Sequence, residues 1–489
     1  MSEVRSNAAA RTTDGDWPGE AEAVVVGAGM SGICLTRALK LHGIEDVVVL
    51  EKSDDVGGTW HHNRYPGVAC DIPSPAYCFS FALHDWSRLF APGAEIHDYL
   101  RQVAADNDVV RHIRFETELL EAVWDSRAHR WICETNRGFI RARFLILATG
   151  VLHNKNIPPI AGKAEFAGTM FHSSEWPEDF DPAGRRIAVV GNGASAVQFV
   201  PAVQPMAERL VVLQRTPAWV LPKNDVVHRK LNRHRAQRRQ RRLRGLVLTL
   251  LELFHFVAAR AERSRLVEWA ARKHLRDSIK DPILRAALTP DYRINCKRVL
   301  QSNRYYPAVS SANVDYVAAG LVRITENSVI AADGREFLVD TIIWGTGFEP
   351  GHTEVLKRIR GRDGADMSGT DHAYKATTMA GCPNMFVMVG PNGITASNPL
   401  VSEAQTRYIL SAIDTLHRRG VRTVEVTLAA ERAWNRDKDA KLAASVWNAG
   451  GCSSYFHNDR GVNTALWPGP LRDMKEQLSV FDIENYSIT

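Results

Sequence analysis

The sequence lacks a Cys-x-x-Cys pair, a long apolar run and an apolar N-terminus. Its seven cysteines are scattered and odd in number, so their spacing indicates no disulfide framework, zinc site or dithiol redox centre. No apolar run reaches the roughly 18 residues of a membrane-spanning helix, and the small, polar N-terminus has no signal-peptide core. We therefore expect no metal site, a disordered N-terminus over residues 1–20 and a cytoplasmic protein.

The net charge of +6 arises from one segment. Residues 228–245 carry nine Lys/Arg and no acid, and the rest of the chain is slightly acidic. Residues 246–259 are apolar apart from Glu252 and too short to span a bilayer. We favour a helical insertion with a solvated charged face and a core-facing apolar face over a membrane-surface helix. Nucleic acid is less favoured, because no aromatic residue interrupts the basic run.

A first glycine-rich loop follows the apolar run 23–26. Strand, turn and helix occur in the order of a dinucleotide-binding unit, with candidate cofactor-binding residues Gly27, Gly29, Met30, Ser31 and Gly32. The helix N-terminus of such a unit faces a pyrophosphate with its free amides. The next apolar run ends in Glu51 and Lys52, and Glu51 is placed to accept hydrogen bonds from ribose hydroxyls. The pattern predicts a dinucleotide-binding domain.

The same pattern recurs downstream. After the apolar run 187–190 come the candidate cofactor-binding residues Gly191, Asn192, Gly193, Ala194, Ser195 and Ala196. The following strand ends in Arg215 and Thr216 instead of an acid. A guanidinium at this place favours a 2′-phosphate, so we expect NADP rather than NAD here. The alternative is an arginine that only lies at the surface of a loop.

Two further apolar strands end in Gly-rich turns, at 148–150 and 345–347. Such turns look like the points where a flavoprotein chain crosses between its two nucleotide domains. We expect an α/β fold with two dinucleotide-binding, Rossmann-like domains, one inserted into the other. The layout resembles the flavoproteins with two dinucleotide-binding domains, which implies a discontinuous FAD domain at 21–152 and 336–489 and an inserted NADP domain at 153–335, with a helical insertion at about 223–290. The C-terminal part also supplies loops for substrate and cofactor.

Four segments carry a resemblance to one family. Residues 166–177 read F-x-G-x-x-x-H-x-x-x-W-P, and residues 57–71 read G-G-T-W-x-x-x-R-Y-P-G-x-x-x-D. The third segment runs from Leu288-Thr289-Pro290 to Cys296-Lys297-Arg298, and the fourth, looser one is 390–400. Together they resemble the type I Baeyer–Villiger flavin monooxygenases, and the matches cover about four-fifths of the chain from residue 24 to about 400.

The resemblance implies cofactors, substrates and residue roles. FAD and NADPH would be bound, and a ketone and O₂ would form an ester or lactone through a C4a-peroxyflavin. Arg298 and Asp71 would be the catalytic residues, and Lys297 would hold the 2′-phosphate. The FAD contacts would include Gly58, Thr59, Trp60 and Tyr77. We expect His172 to act in the connection between the domains rather than in catalysis. The oligomeric state is left open.

Other interpretations remain at this stage. Taken singly, Trp60 could be a core aromatic residue, Asp71 a helix cap, and His172 with Trp176 an i, i+4 helical pair. Many members of the family that the chain resembles have a tryptophan where this chain has Ser454. A flavin monooxygenase that oxidises sulfur or nitrogen is the nearest alternative, although the Trp-Pro ending of 166–177 favours ketones. A thiol–disulfide reductase needs paired cysteines, and a membrane- or nucleic-acid-binding module explains neither glycine loop.

Overall fold

The computed structural model describes residues 17–228, 233–260, 263–349, 353–395, 397–452 and 454–489. Residues 1–16 of the N-terminus expected to be disordered lie outside this part. Trp17 is already packed, because its indole Nε1 donates to the carbonyl of Phe139 at 2.9 Å. The first strand begins at Glu20. Residues 17–20 therefore belong to the folded part, contrary to the expectation.

The first sheet begins with short runs of Val and Leu that are buried on both faces, as expected of parallel strands covered by helices. Its N-terminal part contains β1 (Glu20–Val26), α1 (Met30–Leu41), β2 (Val47–Leu50), α2 (Thr59–His62), α3 (Gly93–Asp106), β3 (Ile113–Arg114), β4 (Leu119–Asp125), β5 (Arg130–Thr135) and β6 (Gly138–Leu147). Strand β1 pairs in parallel with β2 and β6. Strands β4, β5 and β6 form an antiparallel meander beside this parallel core.

A second sheet is built from the middle of the chain. Its region contains β7 (Asn154–Lys155), β8 (Thr169–His172), β9 (Arg186–Val190), α4 (Ala194–Val203), β10 (Arg209–Leu213), β11 (Val220–Leu221), α5 (Arg233–Ala258), α6 (Arg265–Ser278), α7 (Pro282–Ala287), β12 (Leu300–Gln301), α8 (Tyr305–Val309), β13 (Val314–Val317), β14 (Leu321–Ile324), β15 (Ser328–Ala331), β16 (Glu336–Leu338) and β17 (Thr341–Trp344). The order β13-β10-β9-β17-β8 is parallel throughout. Strands β14, β15 and β16 form a separate antiparallel sheet.

The chain then returns to the first sheet. The remaining elements are β18 (Phe348–Glu349), α9 (Thr353–Leu356), β19 (Ile359–Arg360), β20 (Met385–Val387), α10 (Asn398–Arg419), β21 (Val424–Val426), α11 (Leu428–Ala443), α12 (Val446–Ala449), α13 (Leu471–Gln477) and β22 (Tyr486–Ile488). The first sheet has the order β19-β4-β5-β6-β1-β2-β3, with β20 beside β6. The predicted α/β fold, a second domain inserted into a discontinuous first one, is confirmed. The residue boundaries of the domains stay predictions.

The helical insertion consists of α5, α6 and α7. It leaves and re-enters the second domain through β11 and β12, which pair with each other in parallel. Both ends of the insertion therefore meet at one place. Within the described part of the chain, no helix combines the length and the apolar character that crossing a membrane requires.

The two connections between the domains lie side by side. Strand β7 on the outgoing connection pairs antiparallel with β18 on the returning one, so that Lys155 faces Phe348 and Asn154 faces Glu349. They follow the two Gly-rich turns at 148–150 and 345–347. The domains are thus joined by a short two-stranded ribbon.

Candidate active site

A cavity of about 1820 Å³ opens where the carboxyl ends of the parallel strands of both sheets face each other. Ligands of α/β proteins bind at this edge of the sheet. A cavity for one small molecule usually has about 300–1000 Å³, so this one has room for several ligands. Both glycine loops line it, and the fourth motif, 390–400, contributes Ile394, Thr395 and Asn398.

The first glycine loop connects β1 to α1. Gly27, Gly29, Met30 and Ser31 line the cavity. Gly32 lies behind them, because a Cβ there would stand 1.9 Å from the carbonyl oxygen of Gly27. Its role is therefore close packing of the helix against the loop, as expected of the third glycine. Helix α1 has no acid in its first turn and no side-chain cap, so its N-terminal amides are available to an anion.

Glu51 directly follows strand β2 and borders the first loop. Its buried carboxylate accepts hydrogen bonds from the backbone N–H of Ala28 at 2.7 Å and of Ser53 at 2.9 Å. The acid therefore fixes the shape of the glycine loop as well as lining the cavity. The neighbouring Lys52 is exposed on the cavity wall.

The residues predicted to contact FAD form the next part of the wall. Gly58, Thr59, Trp60 and Tyr77 all line the cavity. The Trp60 and Tyr77 rings meet edge to face with centroids 5.6 Å apart. Burial raises the pKa of the Tyr77 hydroxyl above its ordinary value, so this side chain stays neutral. Trp60 is half-buried and borders the cavity, which places it outside the closed core of the domain.

The second glycine loop connects β9 to α4. Gly191 needs its positive φ of 104°, and a Cβ there would stand 2.5 Å from the carbonyl oxygen of Gly345. Asn192 is held by a hydrogen bond from its Nδ2 to Gln214 Oε1 at 2.9 Å. The other residues of this loop on the cavity wall are Gly193, Ala194 and Ser195. Ala196 is fully buried and packs beside Gly345, so it supports the loop from behind.

Two cations converge beside the second loop. Arg215 and Lys297 line the cavity together with Thr216. The pKa of Lys297 is lowered first by partial burial and then by the nearby guanidinium of Arg215, with a smaller opposite effect of Asp291. Adjacent like charges raise each other's energy until an anion binds between or beside them. The pair is thus suited to a phosphate group.

Arg298 and Asp71 form an ion pair on the cavity wall. The guanidinium Nη2 donates to Asp71 Oδ1 at 2.6 Å, and 39% of the Arg298 side chain stays exposed. The Asp71 carboxylate raises the pKa of Arg298 above its ordinary value, so the guanidinium remains charged. The alternative role of Asp71 as a helix cap is wrong, because its carboxylate binds Arg298 and the 3₁₀ turn Ser74–Ala76 begins after Pro73 without a side-chain cap.

A disulfide joins the Arg298 loop to the C-terminal segment. Cys296 and Cys452 are bonded although 156 positions separate them. The expectation that the cysteines form no disulfide is therefore wrong for this pair. Tyr455, three residues further on, lies against Arg298 and has its pKa raised by burial, with an opposite effect of Arg298. The C-terminal segment thus supplies a second neighbour of the guanidinium that the sequence interpretation missed.

The motif 166–177 lies at the joint rather than at the ion pair. His172 ends β8, is fully buried and shares a hydrogen bond of 2.9 Å between its Nε2 and the carbonyl of Gly347. Trp176 follows a 3₁₀ turn and packs against Phe171, Phe180 and Phe199. The alternative of an i, i+4 helical pair is therefore wrong. The contact with Gly347 supports a role in the connection between the domains.

Gln198 on α4 is a second connection that the sequence interpretation missed. Its side-chain oxygen accepts hydrogen bonds from the Tyr65 hydroxyl at 3.1 Å and the Ala69 N–H at 3.2 Å. Its amide donates to the Ala69 carbonyl at 3.0 Å. The segment that contains Asp71 is therefore held by a helix of the other domain. The motif Arg64-Tyr65-Pro66-Gly67 was the available signal, but no sequence rule names its partner.

In the described part of the chain, one group of potential metal ligands lies outside the cavity lining. Atoms of Asp55, His61 and His97 come within 4.8 Å of one another. Arg101 already binds the Asp55 carboxylate, and His97 Nε2 lies 2.9 Å from the carbonyl of Val56. Asp55 and His97 thus already have partners outside the group, and we assign no metal to it.

Comparison with known proteins agrees with this arrangement. The family model described as flavin-binding monooxygenase-like matches residues 21–358. A Baeyer–Villiger monooxygenase of Streptomyces coelicolor is 40% identical over 476 residues, covering 95% of this chain and 92% of that relative. The solved structure of OTEMO in complex with FAD and NADP has a TM-score of 0.86 and 27% identity, covering 96% of this chain and 99% of that chain. A cyclohexanone-bound cyclohexanone monooxygenase has a TM-score of 0.85 and 26% identity, covering 97% and 100%. The chain therefore belongs to the flavin-binding monooxygenase-like family and, within it, to the Baeyer–Villiger monooxygenases.

Proposed function

We propose that the protein uses FAD and NADPH to insert one oxygen atom of O₂ beside the carbonyl of a ketone. Ketone, O₂, NADPH and a proton would give an ester or lactone, NADP⁺ and water. The observation that carries the proposal is the Arg298–Asp71 pair on the wall of a cavity lined by two dinucleotide loops. The cytoplasmic location stays a prediction.

The residues of the two loops fit the two cofactors. Helices α1 and α4 both begin without a side-chain cap or an acid in the first turn, which leaves their amides for a pyrophosphate. FAD would lie against Gly27, Gly29, Met30, Ser31, Glu51, Lys52, Gly58, Thr59, Trp60 and Tyr77. NADPH would lie against Gly191, Asn192, Gly193, Ala194 and Ser195, with Arg215, Thr216 and Lys297 at its 2′-phosphate. Bound FAD would supply the transfer of electrons from NADPH to O₂.

Arg298 would stabilise the negative charge that develops when oxygen adds to the ketone carbonyl. A fixed cation accelerates this step because it interacts more strongly with the charged transition state than with the neutral ketone. Arginine suits the position, since its guanidinium does not give up a proton. Asp71 raises the pKa of Arg298, so the guanidinium holds its proton still more firmly.

Asp71 would act as the positioning partner of Arg298. Its carboxylate accepts a charge-assisted hydrogen bond from the guanidinium and so limits the directions in which the cation can point. The cations Arg215 and Lys297 occupy the same cavity. Asp71 therefore also keeps Arg298 from joining them at the nucleotide phosphates.

The direct test traces labelled oxygen from O₂ into the product. The FAD-loaded protein is supplied with NADPH, labelled O₂ and a panel of cyclic, linear and aromatic ketones and of sulfides, and products are analysed by mass spectrometry. We expect one labelled oxygen in an ester or lactone. Labelled sulfoxides without any labelled ester across the panel would contradict the ketone assignment and favour sulfur oxidation.

A variant separates reduction from oxygenation. In Arg298→Ala, NADPH should still reduce the flavin, whereas ester formation should fall by about a hundredfold or more, the effect of removing one preorganised charge-stabilising group. Arg293→Ala is the matched control, because Arg293 is exposed on the same loop and lies outside the cavity lining. Normal ester formation by Arg298→Ala would remove this residue from the mechanism.

A further inference from the structure

Helix α5 has an exposed side that belongs to neither glycine loop. Residues spaced by three or four positions lie on one side of a helix. Along α5 this spacing connects the exposed side chains of Arg238, Arg242, Leu246, Leu250, Leu253 and Phe256. We call this set the α5 face. It is basic in its first half and apolar in its second half.

The apolar half of the α5 face points outwards. Leu246 is 58% exposed, Leu253 57% and Phe256 58%. The favoured expectation, an insertion whose apolar side faces the core, is therefore wrong for these residues. An exposed apolar row of this kind marks a surface that contacts something else.

The opposite side of α5 fixes this orientation. Gln240, Arg244 and Val247 are buried. Nη1 of Arg244 donates to the carbonyl of Cys78 at 2.6 Å, in the segment that follows the ion-pair residue Asp71. The helix is thus anchored to the first domain by one side. This anchor directs the α5 face outwards.

The neighbouring helix adds aromatic and apolar surface. Leu266 and Trp269 on α6 are 78% and 57% exposed. Between the two helices the guanidinium of Arg263 stands 3.9 Å from the centroid of the Phe256 ring. Tryptophan, and arginine beside apolar side chains, are typical of segments at a membrane–water interface.

We propose that the α5 face docks the protein on an anionic lipid bilayer. The helix has 26 residues. Lying flat, it would place Arg238 and Arg242 among anionic headgroups and Leu246, Leu250 and Phe256 at the acyl boundary. A nucleic acid would use the arginines but gives no role to the apolar half. A bilayer uses both halves, which is why we select it over other occupants.

Docking would bring the cavity to the membrane. Leu250, Leu253 and Phe254 belong to the cavity lining and are also exposed, so the cavity opens beside the α5 face. A ketone dissolved in lipid could then enter without crossing bulk water. This consequence rests on the proposed function, whereas the docking itself does not.

The test is flotation of the full-length, FAD-loaded protein with vesicles of phosphatidylcholine alone or with phosphatidylglycerol. We expect salt-sensitive binding to the anionic vesicles. One arginine near such a surface contributes about fivefold in affinity, so Arg238→Glu with Arg242→Glu should weaken binding by about 25-fold or more. Leu246→Ser with Phe256→Ser should weaken it comparably. Both residues lie outside the cavity lining, so oxidation of a water-soluble ketone should be unchanged.

The matched control is Arg432→Glu with Arg436→Glu, an exposed i, i+4 arginine pair on α11. It should leave vesicle binding unchanged, and FAD content and melting temperature verify the folding of every variant. Absence of flotation with anionic vesicles overturns the proposal, as does binding that neither α5 double variant weakens. Binding of a DNA duplex or self-association that depends on these residues, without vesicle binding, assigns the face to that partner instead. A protein that floats but forms no ester would contradict only the proposed function.

Discussion

Removing Arg215 should reduce the preference for NADPH over NADH. Arg215 and Lys297 line the same part of the cavity, and the guanidinium contributes to the lowered pKa of Lys297. A 2′-phosphate relieves this repulsion, whereas the ribose hydroxyl of NADH cannot. The loss should therefore fall on NADPH alone.

The expected magnitude follows from the type of contact. A hydrogen bond to a charged group contributes about 1.5–3 kcal/mol, which corresponds to about 10- to 150-fold in affinity. We expect a loss of this size for NADPH in Arg215→Ala and less than about a twofold change for NADH. Since Lys297 must be protonated to bind the phosphate, NADPH binding should weaken as pH rises through the pKa of Lys297. In Arg215→Ala this weakening should move to higher pH, because the repelling cation is gone.

The assay is anaerobic reduction of the bound flavin, followed by absorbance against the concentration of each nucleotide and at several pH values. Lys297→Ala should show the same selective loss without the pH step. Arg323→Ala is the control, because this exposed arginine of the same domain lies outside the cavity lining. An equal loss for both nucleotides in Arg215→Ala would refute the assignment of the 2′-phosphate site.

Three further outcomes follow from the site. In Asp71→Asn, the rate of flavin reduction should stay within about twofold of the original rate, whereas ester formation should slow by about tenfold or more because Arg298 loses its charged partner. The NADPH consumed should then yield hydrogen peroxide instead of ester. An unchanged yield of ester per NADPH would contradict the role of Asp71. Cys452→Ser should speed limited proteolysis near the C-terminal segment and raise the Michaelis constant for NADPH, because this segment is no longer bonded to the loop of Lys297; an unchanged cleavage rate would argue against the tether. Burial lowers the pKa of His62 to about 4, below its ordinary value of 6.5, so stability should be lost as pH falls from 6.5 towards 4. In urea unfolding, the His62→Gln variant should lose less stability over that pH range. Parallel curves of stability against pH for the variant and the original protein would contradict this.

The two glycine loops could be predicted because their requirements are local. In each loop, strand, turn and helix follow within a few consecutive residues. The glycines are needed because a Cβ at Gly32 or Gly191 would stand 1.9 or 2.5 Å from a backbone carbonyl oxygen. The Arg298–Asp71 pair is different. Its members are 227 positions apart, so only the family resemblance connected them before the fold did.

The remaining features depend on which surfaces the fold brings together. No spacing rule pairs Cys296 with Cys452, because the bond depends on where the C-terminal segment returns. The helical period of α5 predicts an apolar side but not whether another element covers it. The four-residue spacing of His172 and Trp176 fits a helix, yet a strand end followed by a turn satisfies it too.

The ribbon of β7 and β18 makes the inserted domain exchangeable. Because Lys155 and Phe348 face each other as strand partners, their Cα atoms stand only about 5 Å apart. A short linker between them would close the first domain without stretching its sheet, and the removed segment carries the second glycine loop, Arg215, Lys297 and Arg298. The same two positions would accept the corresponding segment of a relative. One pair of junctions would therefore transfer the second glycine loop together with Arg298, which would then pair with the Asp71 that stays in the first domain.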